Sequence, residues 1–189
     1  MAIQITGDPD ADQVLEDSPF ALVVGMMLDQ QYPMEHAFRG PHKVLGRFGN
    51  LDPAAIAAAD PEAFATLCST PPAIHRYGRS MAGRLQSLAA LVEERYDGDA
   101  SRIWSGVATG KELFDRVQEL PGFGKQKAQI FVALLAKQRG VRPEGWESVV
   151  GDYALDGYRS VADVVDPTSL QKVRDFKKAK KAAAKAATA

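Results

Sequence analysis

The stretch Leu120-Pro121-Gly122-Phe123-Gly124-Lys125-Gln126-Lys127-Ala128 constrains this chain more than any other. It separates two helical patterns. Upstream, Thr109-Gly110-Lys111-Glu112 reads as a Thr-x-x-Glu capping box that opens a helix through Leu113, Phe114 and Val117. Downstream, Gln126 to Gln138 carries Ala128, Ile130, Phe131, Val132, Leu134 and Leu135. That run is apolar nearly all round and predicts a buried helix. Pro121 stops the first helix, and the two glycines permit a tight turn. Such a turn presents free backbone N–H groups at the start of the second helix, a ready site for phosphate. From Leu120 to Arg142 there are five Lys or Arg and no Asp or Glu. The plain alternative is an ordinary helical corner with solvated lysines.

Composition narrows the class. With 189 residues and 46% hydrophobic content, the chain can bury a good core in one domain or two small ones. A net charge of -1 excludes a uniformly polybasic nucleic-acid binder. The charge is unevenly placed, however: residues 1–62 hold ten acids and three bases, and the last nineteen residues hold seven Lys or Arg and one acid, Asp175. The single Cys68 rules out an internal disulfide, an all-Cys zinc site and a four-cysteine iron–sulfur cluster. His36, His42 and His75 lack helical metal-ligand spacing. No apolar run reaches about 18 residues, and no signal peptide is read at the N-terminus. A reduced, cytoplasmic, soluble protein is the expectation, at the nucleoid in a bacterium.

Asp8-Pro9, Ser18-Pro19, Asp52-Pro53, Asp60-Pro61 and Asp166-Pro167 each pair an N-cap residue with proline at the first helical position. Sustained period-two alternation is absent. The spacing predicts helices near 9–17, 19–31, 33–47, 53–58, 61–68, 74–96, 110–118, 125–138 and 167–185. Pro71-Pro72 and the stretch from Gly145 to Gly157 interrupt them. The Ala/Lys tail favours helix.

In the helix expected from Pro19, residues Phe20, Val23, Val24, Met27 and Leu28 share one face, and Leu22 and Met26 make other faces apolar too. It should be buried, ending in Gln30-Gln31-Tyr32. Amides hydrogen-bond base edges and a phenol ring stacks on bases. The alternative is a polar helix end with a tyrosine packed on its neighbour.

Taken together, the Pro-Phe start of that helix, its Gln-Gln end and a Leu-Pro-Gly-x-Gly hairpin about ninety residues later resemble the helix-hairpin-helix (HhH-GPD) DNA glycosylases of the endonuclease III superfamily. The resemblance covers roughly Ser18 to Gln138. It implies an all-α, two-domain fold with a DNA cleft between the domains. A six-helix barrel domain carrying the hairpin would span 19–135. Residues 1–18 plus 136–189 would form a second helical domain with a basic C-terminal helix.

The resemblance also assigns roles. Pro121, Gly122, Phe123, Gly124 and Lys125 match the family's phosphate clamp, with Lys127 beside it. Main-chain carbonyls of Gln118, Leu120 and Phe123 would hold an alkali cation, Na+ or K+. Gln30 or Gln31 falls where the family fills or probes the gap left by a flipped nucleotide. Gln126 stands at the lysine position of bifunctional members, and an amide forms no Schiff base. A monofunctional route needs an aspartate that stabilises the sugar cation and activates water. The candidate is Asp152, in Gly151-Asp152-Tyr153, with Asp156 as rival; an N-cap or turn role is the bland reading of either.

Lys172, Arg174, Lys177, Lys178, Lys180, Lys181 and Lys185 stand where cluster-bearing members have cysteines. They read as extra phosphate contacts or as a solubilising tail. Arg76, Arg79 and Arg84 fit either a DNA track or an exposed helix face. Two functions remain open: a monofunctional glycosylase that excises a damaged or mispaired base from double-stranded DNA, acting as a monomer, or a non-catalytic binder of damaged or distorted DNA.

Overall fold

The computed structural model describes residues 2–189. Ten α-helices run in chain order: α1 (Pro9–Asp17), α2 (Pro19–Leu28), α3 (Met34–Phe48), α4 (Pro53–Ala58), α5 (Pro61–Ser69), α6 (Gly78–Tyr96), α7 (Gly110–Gln118), α8 (Lys125–Arg139), α9 (Trp146–Val150) and α10 (Pro167–Ala187). Short 3₁₀ turns occupy Ala100–Ile103, Gly151–Ala154 and Val161–Asp163. The β pairing among the described residues is a single bridge between Thr109 and Glu144. The chain is all-α.

The Asp/Ser-Pro pairs do set helix starts. The side chains of Asp8, Ser18, Asp52, Asp60 and Asp166 each accept backbone N–H groups of the first turn. Each such cap is worth about 1 kcal/mol. Thr109 caps α7 by accepting the Glu112 N–H, but the return bond departs from the expected box: Glu112 Oε2 accepts the N–H of Ala108 rather than that of Thr109.

Buried apolar side chains from Ile3 to Val173 form one continuous cluster. Two helices run through it. In α2 every residue from Phe20 to Leu28 is buried, and in α8 the run Phe131–Ala136 is buried. Each large apolar side chain so removed from water contributes about 1.5–3 kcal/mol. Small residues permit the close approaches. A Cβ on Gly25 would lie 2.5 Å from the Phe38 ring, and one on Gly110 would lie 2.4 Å from the Trp146 backbone.

Three elements differ from the sequence reading. The helix expected over 19–31 ends at Leu28: the N–H groups of Asp29 and Gln30 turn back to the Met26 and Leu28 carbonyls, and Gln31 takes a left-handed φ of 53°. The helix expected from 74 starts at Gly78, because His75 Nδ1 accepts the Tyr77 N–H and holds the preceding turn. The stretch from Gly145 to Gly157 is not simply an interruption, since it contains α9 and the 3₁₀ turn that follows.

The chain then returns to α8. The buried Gln138 amide donates to the carbonyls of Val161, Ala162 and Val164. Lys137 pairs with Asp163 at 2.7 Å. This return places α10 alongside the ends of α2 and α8.

Candidate nucleic-acid interface and cleft

The hairpin between α7 and α8 is built as its sequence implies. Gly122 has a φ of +84°, which a side-chain-bearing residue rarely adopts. The Phe123 N–H closes the turn onto the Leu120 carbonyl at 3.1 Å. Phe123 is buried, with its ring 5.9 Å from Phe131, so the core holds the turn rigid. Gly124, Lys125 and Gln126 are exposed, and no side chain caps α8. The first amides of α8 are therefore presented outward beside Lys125. A Cβ on Gly124 would meet nothing within 4 Å, so a phosphate can approach the backbone closely. Pro121 is half-buried.

Lys127 does not stand with Lys125 on that surface. Its Nζ turns inward and donates to the Met27 carbonyl at 2.9 Å. Burial lowers the amine to about 8; the Asp29 carboxylate opposes that shift and Arg84 adds to it.

Behind the hairpin lies a cavity of about 600 Å³. Met26, Asp29, Gln31 and Tyr32 from the end of α2 line one side, and Gln126, Lys127 and Ile130 from α8 line another. Tyr153, Arg159 and the α10 residues Phe176, Lys177, Lys180, Lys181 and Ala184 complete it. Gln126 donates to the Tyr153 hydroxyl at 2.9 Å. The expected candidates Gln31, Tyr32, Gln126 and Lys127 are thus brought together.

Gln30 and Gln31 separate into different roles. Gln30 is tied down: its Oε1 accepts from Arg84 Nη1 at 2.9 Å, and its carbonyl is 2.8 Å from His75 Nε2. Gln31 is exposed and lines the cavity. Tyr32 packs against His75 and His36, with ring centroids at 4.8 and 5.9 Å. Burial lowers the pKa of both histidines.

Asp152 and Asp156 are not brought to this cavity. Asp152 is exposed on the 3₁₀ turn after α9, and Asp156 is exposed and borders a different depression with Lys137 and Arg142. The reason is the turn's orientation, which sends Tyr153 inward and leaves its neighbour in solvent. The arginines of α6 and the preceding loop also divide. Arg76 is exposed, Arg79 pairs with Glu62, and Arg84 donates to Gln30 while its stem lies over Gly122, where a Cβ would crowd it.

Asp29, Arg159 and Phe176 escaped the sequence reading. The signal for Asp29 was available: an acid directly after a helix apolar on every face, at the end where the helix dipole disfavours an anion. Arg159 lies over the Phe176 ring at 5.8 Å and gave no pattern in sequence.

The lysines of α10 make specific contacts. Lys177 Nζ stands 4.0 Å from Asp29, Lys180 lies over the Tyr153 ring, and Arg174 pairs with Glu35. Cys68 is buried, and desolvation raises its thiol to about 11, so it is an inert packing group. Among the described residues no group of three or more His, Cys, Asp or Glu is arranged around a metal position, and no helix is long and apolar enough to cross a membrane.

An all-α chain that presents an uncapped hairpin amide cluster, with a cation-rimmed cavity behind it, has the features of a protein that binds a nucleic-acid backbone. Residues 24–188 match the family described as HhH-GPD superfamily base excision DNA repair protein. The match spans most of the chain, and the chain belongs to that superfamily. No curated protein and no solved structure gave a match.

Proposed function

We propose that this base excision repair protein is a monofunctional DNA glycosylase. It acts as a monomer in the cytoplasm, on double-stranded DNA carrying a damaged or mispaired base. The observation that carries the reading is the cavity behind the hairpin. It is large enough for a flipped nucleotide, it presents the Gln31 amide and the Tyr32 and Tyr153 rings, and cations surround it. Duplex phosphates would sit on the amides of Gly124 to Gln126 and on Lys125, Lys180 and Lys181. Gln31 would fill the gap left in the stack, because Gln30 is already engaged by Arg84.

Gln126 supports a hydrolytic route. It occupies the family's lysine position, lines the cavity and carries an amide, which cannot form an imine. The hairpin also suits an alkali cation. The Gln118 and Phe123 carbonyls accept no backbone N–H among the described residues, while Leu120 accepts that of Phe123 and retains a second lone pair. Carbonyl oxygens are the ligands a hard cation takes. Na+ or K+ held there would add positive charge beneath a phosphate.

The test is a panel of duplexes with single lesions or mismatches. Abasic sites should appear that break only on later alkali treatment, and borohydride should trap no enzyme–DNA adduct. Efficient trapping would refute the monofunctional reading and point to one of the cavity lysines, Lys127 first, because burial lowers its amine to about 8. A second reading, a non-catalytic binder of distorted DNA, is favoured by the exposure of Asp152 and Asp156 outside the cavity. Binding without excision across the whole panel would establish it. Gly124→Asp separates binding from folding: backbone angles of φ -80° and ψ -176° accept any residue and the Cβ position is open. The variant should fold and lose duplex affinity at least about tenfold.

A further inference from the structure

Hydrolysis of an N-glycosidic bond builds positive charge on the sugar, and a carboxylate is the group that stabilises it. Asp29 is the one acidic residue that lines the cavity. Its side chain is 10% exposed. Its backbone is fixed at the end of α2, the most completely buried helix, and its N–H donates to the Met26 carbonyl.

Asp29 is a poor structural residue. No hydrogen-bond donor among the described residues reaches its carboxylate, and Lys177 Nζ stands off at 4.0 Å. A buried carboxylate without hydrogen bonds weakens a fold. Its place at the C-terminal end of a helix adds to that cost. Burial pushes its pKa up, while Lys177 and Lys127 pull it back down. A desolvated acid held between two lysines in a cavity wall is the arrangement expected of a working group.

We infer that Asp29 is the catalytic carboxylate of the cleft, set against C1′ of the flipped nucleotide. The inference rests on the glycosylase reading. The C1′–N bond breaks and its electron pair leaves on the base nitrogen. The Asp29 carboxylate faces the resulting oxocarbenium-like sugar. Water adds its oxygen to C1′, and Asp29 accepts the proton that water releases. The base nitrogen takes up one proton from solvent, so the products are free base and an abasic sugar with a C1′ hydroxyl. Lys127 and Lys177 are positioning residues whose charges favour the ionised form of Asp29 against the effect of burial.

The assignment is tested without knowing the base, using duplexes carrying one of two abasic analogues. One is a pyrrolidine, whose protonated nitrogen mimics the charged sugar, and the other is a neutral tetrahydrofuran. The wild type should bind the pyrrolidine duplex at least about tenfold more tightly, and Asp29→Asn should bind both alike. Asp29→Ser provides the same neutralisation should the asparagine variant fail to fold. The lesion panel is run on the same proteins. Excision by the wild type with the pyrrolidine preference intact in Asp29→Asn overturns the assignment and leaves the glycosylase reading standing. Loss of the preference in Asp152→Asn or Asp156→Asn instead moves the role there, and a wild type with no preference also overturns it. No excision from any lesion, with a preference that Asp29→Asn abolishes, keeps Asp29 as the cation-facing carboxylate and refutes the glycosylase reading.

Discussion

Helices α8 and α10 border the same cavity and are held in opposite ways. The α8 helix is fixed by burial, with Phe131 to Ala136 inside the core. Of its 21 residues, α10 buries only Ser169 and Val173. It docks through side-chain tips: Arg174 on Glu35, Lys177 near Asp29, Phe176 under Arg159 and Lys180 over Tyr153. One wall of the cavity is therefore part of the folding core. The other is an electrostatic flank whose charges are partly free for a polyanion. Lys180 and Lys181 are exposed on that flank and can turn to phosphates at small cost to the fold, whereas Arg174 and Lys177 face the largely buried carboxylates of Glu35 and Asp29.

That contrast is open to direct attack. Phe131→Ala should be the most damaging change, removing about 3–5 kcal/mol by emptying a fully buried ring site; urea unfolding measures it, and a loss below about 1 kcal/mol would mean that α8 is not the rigid wall. Gln138→Leu should cost about 1–3 kcal/mol by stranding the buried carbonyls of Ala162 and Val164, while that of Val161 keeps the Val164 N–H. It should also loosen the return toward α10, seen as faster amide exchange over residues 159–166.

Neutralising α10 should do the reverse. Lys177→Gln, Lys180→Gln and Lys181→Gln combined should shift Tm by no more than about 2 °C, yet lower the salt slope of duplex binding by about 2–3. An unchanged slope would make α10 a solubilising tail.

The smallest effect is a titration. Lys127, from the rigid wall, faces Asp29, Arg84 and, across the cavity, Lys177. Its amine, followed by NMR after reductive methylation, should titrate near 8. Asp29→Asn should move it lower still, because that carboxylate is what supports the charged form. The sign carries to stability. A folded-state pKa depressed below the ordinary lysine value gives a contribution that is present above that ordinary value and lost as pH falls through about 8. For Asp29 the raised folded-state pKa works the other way: its contribution is present at low pH and lost as pH rises through that value. Asp29→Asn should therefore leave Tm at pH 7 unchanged or higher, whereas a fall of several degrees would mark Asp29 as a structural ion-pair residue.

Local chemistry was legible in the sequence. The Asp/Ser-Pro pairs set five helix starts because cap and proline act within one turn. The apolar runs of α2 and α8 forced burial. Pro121 and Gly122 forced the hairpin, because proline ends a helix and a φ of +84° favours glycine. These patterns, with the Pro-Phe and Gln-Gln signals, were enough to point to the family. Tertiary structure alone decided which side chains meet. Gln30 and Gln31 are neighbours of identical chemistry, yet Arg84, 54 residues away, engages one and leaves the other at the cavity. Lys125 and Lys127 read alike in sequence, but about 200° of helical rotation sends one to solvent and the other beneath Met27. Asp152 fitted a local motif, but the turn that carries it points Tyr153 inward in its place. Asp29 acquired significance only when α8 and α10 brought Lys127 and Lys177 toward it in the wall of a cavity. Caps, turns and amphipathic faces are properties of a few consecutive residues. A site's charge balance is set by groups far apart in the chain, here Asp29, Arg84, Lys127 and Lys177, and packing alone fixes their distances.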